Sequence, residues 1–352
     1  MKKHAIIPIF IPHLGCPNDC VFCNQRKITA RTEVPSASDV RRTVEEWLTT
    51  LEPRHLKNGG TIEEIEASFY GGSFTGLPIE DQTMYLSVAK EFLDAGRIDS
   101  VHLSTRPDYI DDKILTNLRN YGVEAIEIGV QSFDDEVLKA SNRGHDSSTV
   151  YRAAEMIHDY GFRLGIQLMI GLPGDSMESC IYSARETARL KPELARLYPT
   201  IVLDETRRRD MYNEGTYEAL SREEAVARTL AMYRILDDAG IYIMRVGLKS
   251  TDIIGDGGAI NGGTYHPAFR QLVEGRLMRE LLEEMLTERS KGEELRSVTV
   301  YSNQAWFSNL IGNRAENRMY FEEHYPEIRI RYAVDDTLSD KELRVTDNTE
   351  RD

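Results

Sequence analysis

The chain has 352 residues, 41% hydrophobic and 29% charged, with 43 Lys and Arg against 58 Asp and Glu and a formal net charge of −15. At roughly 150 residues per domain, this length gives one large domain plus a small one, with enough apolar material to bury a core. The composition excludes a disordered, collagenous or disulfide-framework chain, no run approaches the ~20 apolar residues of a membrane span, and the acidic balance disfavours non-specific coating of DNA.

The first apolar run, Ala5 to Ile11, is too short and too β-branched for a signal peptide. The expectation is a cytoplasmic protein with neither membrane nor DNA among its partners. A strand-then-helix rhythm follows. His4 to Ile11 reads as a strand and Ser38 to Leu51 as a helix. Ile65 to Tyr70 is a strand, Ile79 to Phe92 a helix, Ser100 to Thr105 a strand, Asp111 to Tyr121 a helix and Val123 to Val130 a strand. Thr149 to Tyr160 is a helix, Phe162 to Ile170 a strand, Ser176 to Leu190 a helix, Leu194 to Tyr198 a strand, Ser221 to Ala239 a helix and Ile241 to Val246 a strand. Repeated β-α units with Ile-, Val- and Leu-rich strands predict a parallel sheet under helices. The fold class is α/β, a partial (β/α) barrel, with a doubly wound sheet as the alternative. Either fold puts the chemistry at the carboxyl ends of the strands.

A Gly-rich connection spans Gly255 to Gly263, and a helical segment runs from Pro267 to Lys291. A small unit then reads strand Ser297–Tyr301, helix Gln304–Ile311, helix Ala315–His324 and strand Ile328–Tyr332. The expected domains are a core over 1–265, a helical connection packing on it over 266–292, and a small α+β unit with a loose acidic tail over 293–352.

Three of the four cysteines, Cys16, Cys20 and Cys23, fall within eight residues directly after the first strand. In a reducing compartment such crowding reads as metal ligation. Thiolates suit iron–sulfur clusters and zinc. Three thiolates leave one iron of a [4Fe-4S] cluster open, as a catalytic cluster requires. A zinc knuckle completed by His13 or Cys180, or a four-ligand ferredoxin-type cluster, is the alternative.

Cys16-x3-Cys20-x2-Cys23, with Phe22 before the last cysteine, resembles the signature loop of radical S-adenosylmethionine (SAM) enzymes. The resemblance implies a [4Fe-4S] cluster whose open iron is chelated by SAM, and sulfonium cleavage to a 5′-deoxyadenosyl radical on an electron from an external donor. It continues through Tyr70-Gly71-Gly72-Ser73, Ser104-Thr105-Arg106-Pro107-Asp108-Tyr109, Glu127 to Ser132, Ser141-Asn142-Arg143-Gly144-His145, Gly165 to Gly174 and Leu197-Tyr198-Pro199-Thr200. In this order the segments resemble the radical SAM core of the Elongator catalytic subunit, which modifies wobble uridine in tRNA. The oxygen-independent coproporphyrinogen oxidase is more loosely similar. The similarity covers roughly residues 5 to 275.

That resemblance implies SAM contacts from Phe22, Gly71, Gly72, Ser73, Ser104, Arg106, Gln131, Arg143 and Gln167. Gln131 and Arg143 would meet the ribose and carboxylate, an Arg pairing well with a carboxylate. Gln167 stands where the oxidase group has a ribose-binding Asp, and Ser104 where relatives often carry Glu. The Elongator acetyltransferase domain has no counterpart in the roughly eighty residues after the core, which hold no pyrophosphate loop.

Arg245, Lys249 and His266 are the candidates for substrate contact. Arg207-Arg208-Arg209 reads as a phosphate-facing patch or a solvated helix start, and Cys180 as a small buried hydrophobe. The last unit resembles a KH module, whose Gly-x-x-Gly loop clamps RNA backbone, with Gly312-Asn313-Arg314-Ala315 in the loop position. From Arg296 to Arg331 there are five Arg and four Glu, a locally less repulsive stretch of an acidic chain. The expected activity is radical SAM chemistry on RNA. The alternatives are the same chemistry on a small molecule or peptide, and a non-catalytic metal or electron-transfer protein.

Overall fold

The computed structural model describes residues 4–11, 16, 20–23, 34–52, 54, 61–248, 260–261, 264–291 and 295–348. The chain divides into two compact units, Met1–Ser221 with Met232–Tyr265, and Arg222–Ala231 with His266–Asp352.

The first unit starts with strand β1 (His4–Ile11) and helix α1 (Ala37–Leu51), then β2 (Glu64–Gly71), α2 (Ile79–Asp94), β3 (Ser100–Thr105), α3 (Asp112–Asn120) and β4 (Val123–Gln131). The short α4 (Asp135–Ala140) precedes α5 (Ser147–Asp159), β5 (Arg163–Ile170), α6 (Met177–Leu190), β6 (Leu194–Pro199), β7 (Val202–Leu203) and α7 (Arg207–Asn213). Helix α8 (Arg222–Asp238), whose residues 222–231 belong to the second unit, β8 (Tyr242–Val246) and β9 (Ile260–Asn261) follow. The helices begin where the side chains dictate. Asp111, Asp134 and Asp146 each accept from first-turn amides, and Ser36 closes a capping box with Asp39.

Seven strands form one parallel sheet in the order β1-β2-β3-β4-β5-β6-β8. The order never reverses, so the doubly wound alternative, which requires a switch point, does not apply. The sheet curls into a half-barrel. Tyr70 on β2 and Arg196 on β6, with three strands between them in the sheet, touch at 2.7 Å across its concave side. The four-residue β7/β9 ribbon and α4 have no counterpart in the sequence reading.

The outer residues of the strands, such as Ile65, Ala67, Phe69, Leu103, Ile126 and Ile128, are fully buried under the helices. The concave face is polar instead. Glu66, Ser68 and Tyr70 alternate along β2, His102 sits on β3, Glu127 on β4 and Arg196 on β6. Arg196 pairs with Glu127 at 2.8 Å and stacks on the Tyr70 ring at 4.8 Å. His102 Nδ1 lies 3.1 Å from Glu66, and His4 Nε2 lies 3.5 Å from the other Glu66 oxygen.

Burial raises the Glu66 carboxyl, but hydrogen bonds with His102 and His4 outweigh it and hold the group below its ordinary range, while the Glu66 bond raises His4. The lowered Glu66 stabilises the fold above pH 4.5 and loses that effect as pH falls through its folded value. The raised His4 stabilises below pH 6.5 and loses that effect as pH rises through its folded value. The stability difference between the natural protein and Glu66→Gln is therefore expected to peak between pH 4.5 and 6.5. Urea midpoints across pH 3–9 check this, and a difference that does not vary with pH sinks it.

At the carboxyl end of β2, Gly71 has φ +120°, and a Cβ there would sit 2.6 Å from the Ile11 carbonyl oxygen. Gly72 N donates to that same carbonyl at 3.0 Å. Ile11 is the last residue of β1, so the Gly-Gly pair lets β2 clasp the strand that launches the cysteine loop. Gly71→Ala is expected to cost on the order of 1–3 kcal/mol in thermal unfolding, because the obstacle is backbone and the φ is left-handed.

The second unit contains α9 (Phe269–Ser290), β10 (Ser297–Ser302), α10 (Gln304–Ile311), α11 (Glu316–His324), β11 (Arg329–Val334) and β12 (Arg344–Asp347). Its sheet order is β11-β10-β12, with β11 parallel and β12 antiparallel to β10. Two expectations change here. The 266–292 segment is not a separate connection, because α9 packs on α10 and α11 as part of this unit. The expected loose tail carries β12, which pairs Val345 with Val300 and buries it.

Candidate cofactor site

The cysteine loop leaves β1 at the carboxyl edge of the sheet. Cys20 is buried, Cys16 and Cys23 are half-buried, and all are free thiols. Cys20, Val21 and Phe22 pack with Val137 of α4 and Leu172 after β5, with Met169 and Met211 against them. Phe22 thus seals the loop on its apolar side. His13 lies outside the described residues. Cys180 sits on α6 with its Sγ 3.2 Å from Asp175, away from this loop cluster.

Guanidinium groups approach the buried thiol from the end of β3 (Arg106) and from the turn after α4 (Arg143). Arg143 Nη1 lies 3.3 Å from Cys20 Sγ, and Arg106 Nη1 lies 3.8 Å from it. Arg143 Nη2 donates to the Gly129 carbonyl at 2.5 Å, which turns the Nη1 edge toward the sulfur. Its guanidinium also lies 5.9 Å from the Phe22 ring centroid. Arg106 grips Asp108 with two hydrogen bonds of 2.9 and 2.8 Å and donates to the Arg143 carbonyl.

Gln131 ends β4 with φ +73°, an uncommon backbone for a non-glycine residue, and is 4% exposed. It accepts from Gln167 Nε2 at 3.1 Å, so two amides from adjacent strands share one orientation. A Cβ at Gly129 would lie 2.8 Å from Gln131 Nε2 and would displace that amide. Ser73 is buried, bonds Thr105 Oγ1 at 2.8 Å and accepts from Arg106 N at 3.3 Å. Ser104 lines a cleft with Tyr70, Gly72 and Ser73. The residues named from the strand-end motifs therefore gather at one end of the sheet.

Arg208 gives a result the sequence did not. The Arg207-Arg208-Arg209 run does start a helix, α7, but only its flanks are solvated. Arg207 lies within 4 Å of Asp210 and Glu214, and Arg209 pairs with Asp204. Arg208 is 1% exposed and its N–H donates to the Val21 carbonyl at 2.8 Å. Its Nε and Nη1 have no hydrogen-bond partner among the described residues, and burial pushes its pKa down to about 10.

A buried cation without a counter-charge is costly, by several kcal/mol. The donor set thus fits an anionic group: three thiols that bind metal as thiolates, with Arg106 and Arg143 against Cys20, while the Arg208 guanidinium lies 5.7 Å from the Tyr217 ring. A thiolate-bound iron–sulfur cluster with a carboxylate-bearing ligand has that charge.

Of the three substrate candidates, two lie within the described residues. Arg245 is the penultimate residue of β8, in register with Arg196. Lys249 lies outside the described residues. His266 belongs to the second unit and accepts from Ala268 N at 3.1 Å, which is helix-entry chemistry. The buried concave network of Glu66, His102, Glu127 and Arg196 went unread in the sequence. Its signal was the charge at alternate positions of otherwise apolar strands.

Residues 10–186 match the radical SAM superfamily and residues 192–279 the radical SAM C-terminal domain. The chain is 25% identical over 255 residues to a tRNA uridine(34) acetyltransferase of Methanocaldococcus infernus, covering 63% of this chain and 48% of that protein. It is 29% identical over 237 residues to Elongator complex protein 3 of Mus musculus, covering 56% and 43%. The chain spans about half the length of these curated relatives. A solved structure of the archaeal Methanocaldococcus infernus Elp3 with an N-terminus deletion shares the fold, with a TM-score of 0.61 at 20% identity over 80% of this chain and 64% of that one. No described helix is long and apolar enough to cross a membrane. With three cysteines within eight residues of sequence after the first strand of a parallel half-barrel, and a family match over half its length, the chain belongs to the radical SAM superfamily and is an enzyme of it.

Proposed function

We propose that the protein binds a [4Fe-4S] cluster through Cys16, Cys20 and Cys23, cleaves SAM, and modifies RNA, a tRNA being the favoured substrate. The observation that supports the cofactor reading most is the placement of Cys20 against Arg143 and Arg106. The RNA reading is supported by the likeness to the tRNA uridine(34) acetyltransferase and to Elongator complex protein 3.

When bound, the cluster supplies one electron to the sulfonium of SAM. The chain's own residues position and enclose. Arg143, fixed by the Gly129 carbonyl, presents N–H groups to a carboxylate. The Gln131–Gln167 pair offers amide groups for ribose hydroxyls, and Gln131 is held in place by its strained backbone. Gly71, Gly72, Ser73 and Ser104 line the turn where an amino group is received, and Phe22 excludes water. Arg106 orients the Arg143 segment through its carbonyl. Cys16 and Cys23, half-buried, leave a path for an external electron donor.

The test is anaerobic reconstitution, then turnover with SAM, a reductant and a total small-RNA pool, read by nucleoside mass spectrometry. About four irons per chain, 5′-deoxyadenosine and a nucleoside of new mass are expected. Zinc alone, or iron without 5′-deoxyadenosine, overturns the cofactor reading. Abundant 5′-deoxyadenosine with no altered nucleoside overturns the RNA reading.

A further inference from the structure

The second unit contains a cavity of about 520 Å³. Every residue lining it belongs to that unit. Its walls are the first turns of α8, one face of α9 and the turn from Gly312 into α11. Four arginines line it, Arg222, Arg276, Arg279 and Arg314, against two glutamates, Glu223 and Glu316. In a chain of net charge −15 this is a local reversal of sign.

These arginines are only partly neutralised. Arg222 and Arg314 are exposed and make no ion pair among the described residues. Arg276 pairs with Glu280 at 2.8 Å, an exposed helix-surface pair of small energy. The Arg279 guanidinium sits over the Tyr320 ring, 4.5 Å from its centroid, a contact that leaves its charge in place.

The floor is held in one shape. Buried Asn317 donates from Nδ2 to the carbonyls of Gly275, Asn309 and Leu310 at 2.8, 3.1 and 3.2 Å. Gly312 has no room for a Cβ, which would meet Asn317 N at 2.7 Å. Arg314 and Ala315 follow with φ 52° and 63°, left-handed backbone in two successive non-glycine residues. Such strain persists where the surroundings over-determine it. The amino-terminal turns of α8 and α11 add their dipoles to the same groove, and no side chain caps α11.

We propose that this groove binds consecutive phosphates of an RNA strand, so that the second unit holds the nucleic acid that the first unit modifies. The inference rests on the RNA reading of the function. A row of guanidinium groups on rigid helices around an open trough suits a phosphodiester chain. A shallow charged trough of this kind reads backbone and not sequence.

Binding of a tRNA pool to the full-length reconstituted protein, by fluorescence anisotropy from 50 to 300 mM salt, tests it. The variant is Arg222→Gln with Arg279→Gln and Arg314→Gln. It is expected to bind tRNA at least tenfold more weakly at low salt, with the slope of log affinity against log salt reduced by about 0.7 per arginine. SAM cleavage in the absence of RNA should be unchanged, which shows that fold and cofactor site are intact. If the natural protein binds tRNA and the triple variant binds it equally, with the same salt slope, the groove is refuted and the RNA reading stands. If the natural protein binds no tRNA even at 50 mM salt, the RNA reading itself fails.

Discussion

Cys20→Ala is expected to yield a folded protein that assembles no iron–sulfur cluster. The Cys20 side chain is 3% exposed and packs with Val21, Phe22, Val137 and Leu172, so its replacement by alanine trims one small group from a local apolar cluster. The cost to the fold is on the order of 1 kcal/mol. The cost to iron binding is close to total, because three thiolates are the minimum that holds a cubane with one open corner. Iron per chain is expected to drop from about four to well below one after anaerobic reconstitution, with the far-ultraviolet circular dichroism retained. Formation of 5′-deoxyadenosine should vanish with it. Cys180→Ala is the control. That thiol sits against Asp175 on α6, and full iron content is expected to remain. Full iron in the Cys20 variant would remove it from the ligand set.

Arg196→Met is expected to be the most destabilising single change inside the barrel. Arg196 is 8% exposed, pairs with Glu127 at 2.8 Å and receives its other contacts from Tyr70 and Met244. Removing the guanidinium leaves the Glu127 carboxylate, 1% exposed, without its cation. Breaking a buried pair this way costs about 3–5 kcal/mol, read as a fall in the urea midpoint. The double change Glu127→Gln with Arg196→Met should recover much of that loss, since no uncompensated charge remains. A single variant as stable as the natural protein would mean that the pair is not buried in solution.

Much of the architecture could be read from the letters. Runs of Ile, Val and Leu alternating with capped helices dictate a parallel sheet, and the strand ends then locate the cysteine loop and the Arg106, Gln131 and Arg143 segments. What escaped has physical causes. The concave face was missed because Glu66, His102 and Glu127 sit in strands whose other positions dominate the hydropathy. Arg208 was missed because its two flanking arginines pair with acids at the surface, and neighbours on a helix turn by about 100° per residue to different faces. β12 was missed because an acidic tail looks unstructured until a partner strand, β10, is there to receive Val345. Gly71 could be noticed in the sequence, but the reason for it, the Ile11 carbonyl, is a through-space fact.

The sheet ends on β1, whose only strand neighbour among the described residues is β2. The segment that delivers the sulfur ligands is therefore anchored along a single margin. Any metal gripped by those ligands tightens that margin by mass action, because it binds the ordered form alone. Oxygen or a chelator that strips such a metal is expected to slacken the border of the barrel and so to raise the chain's exposure to proteases.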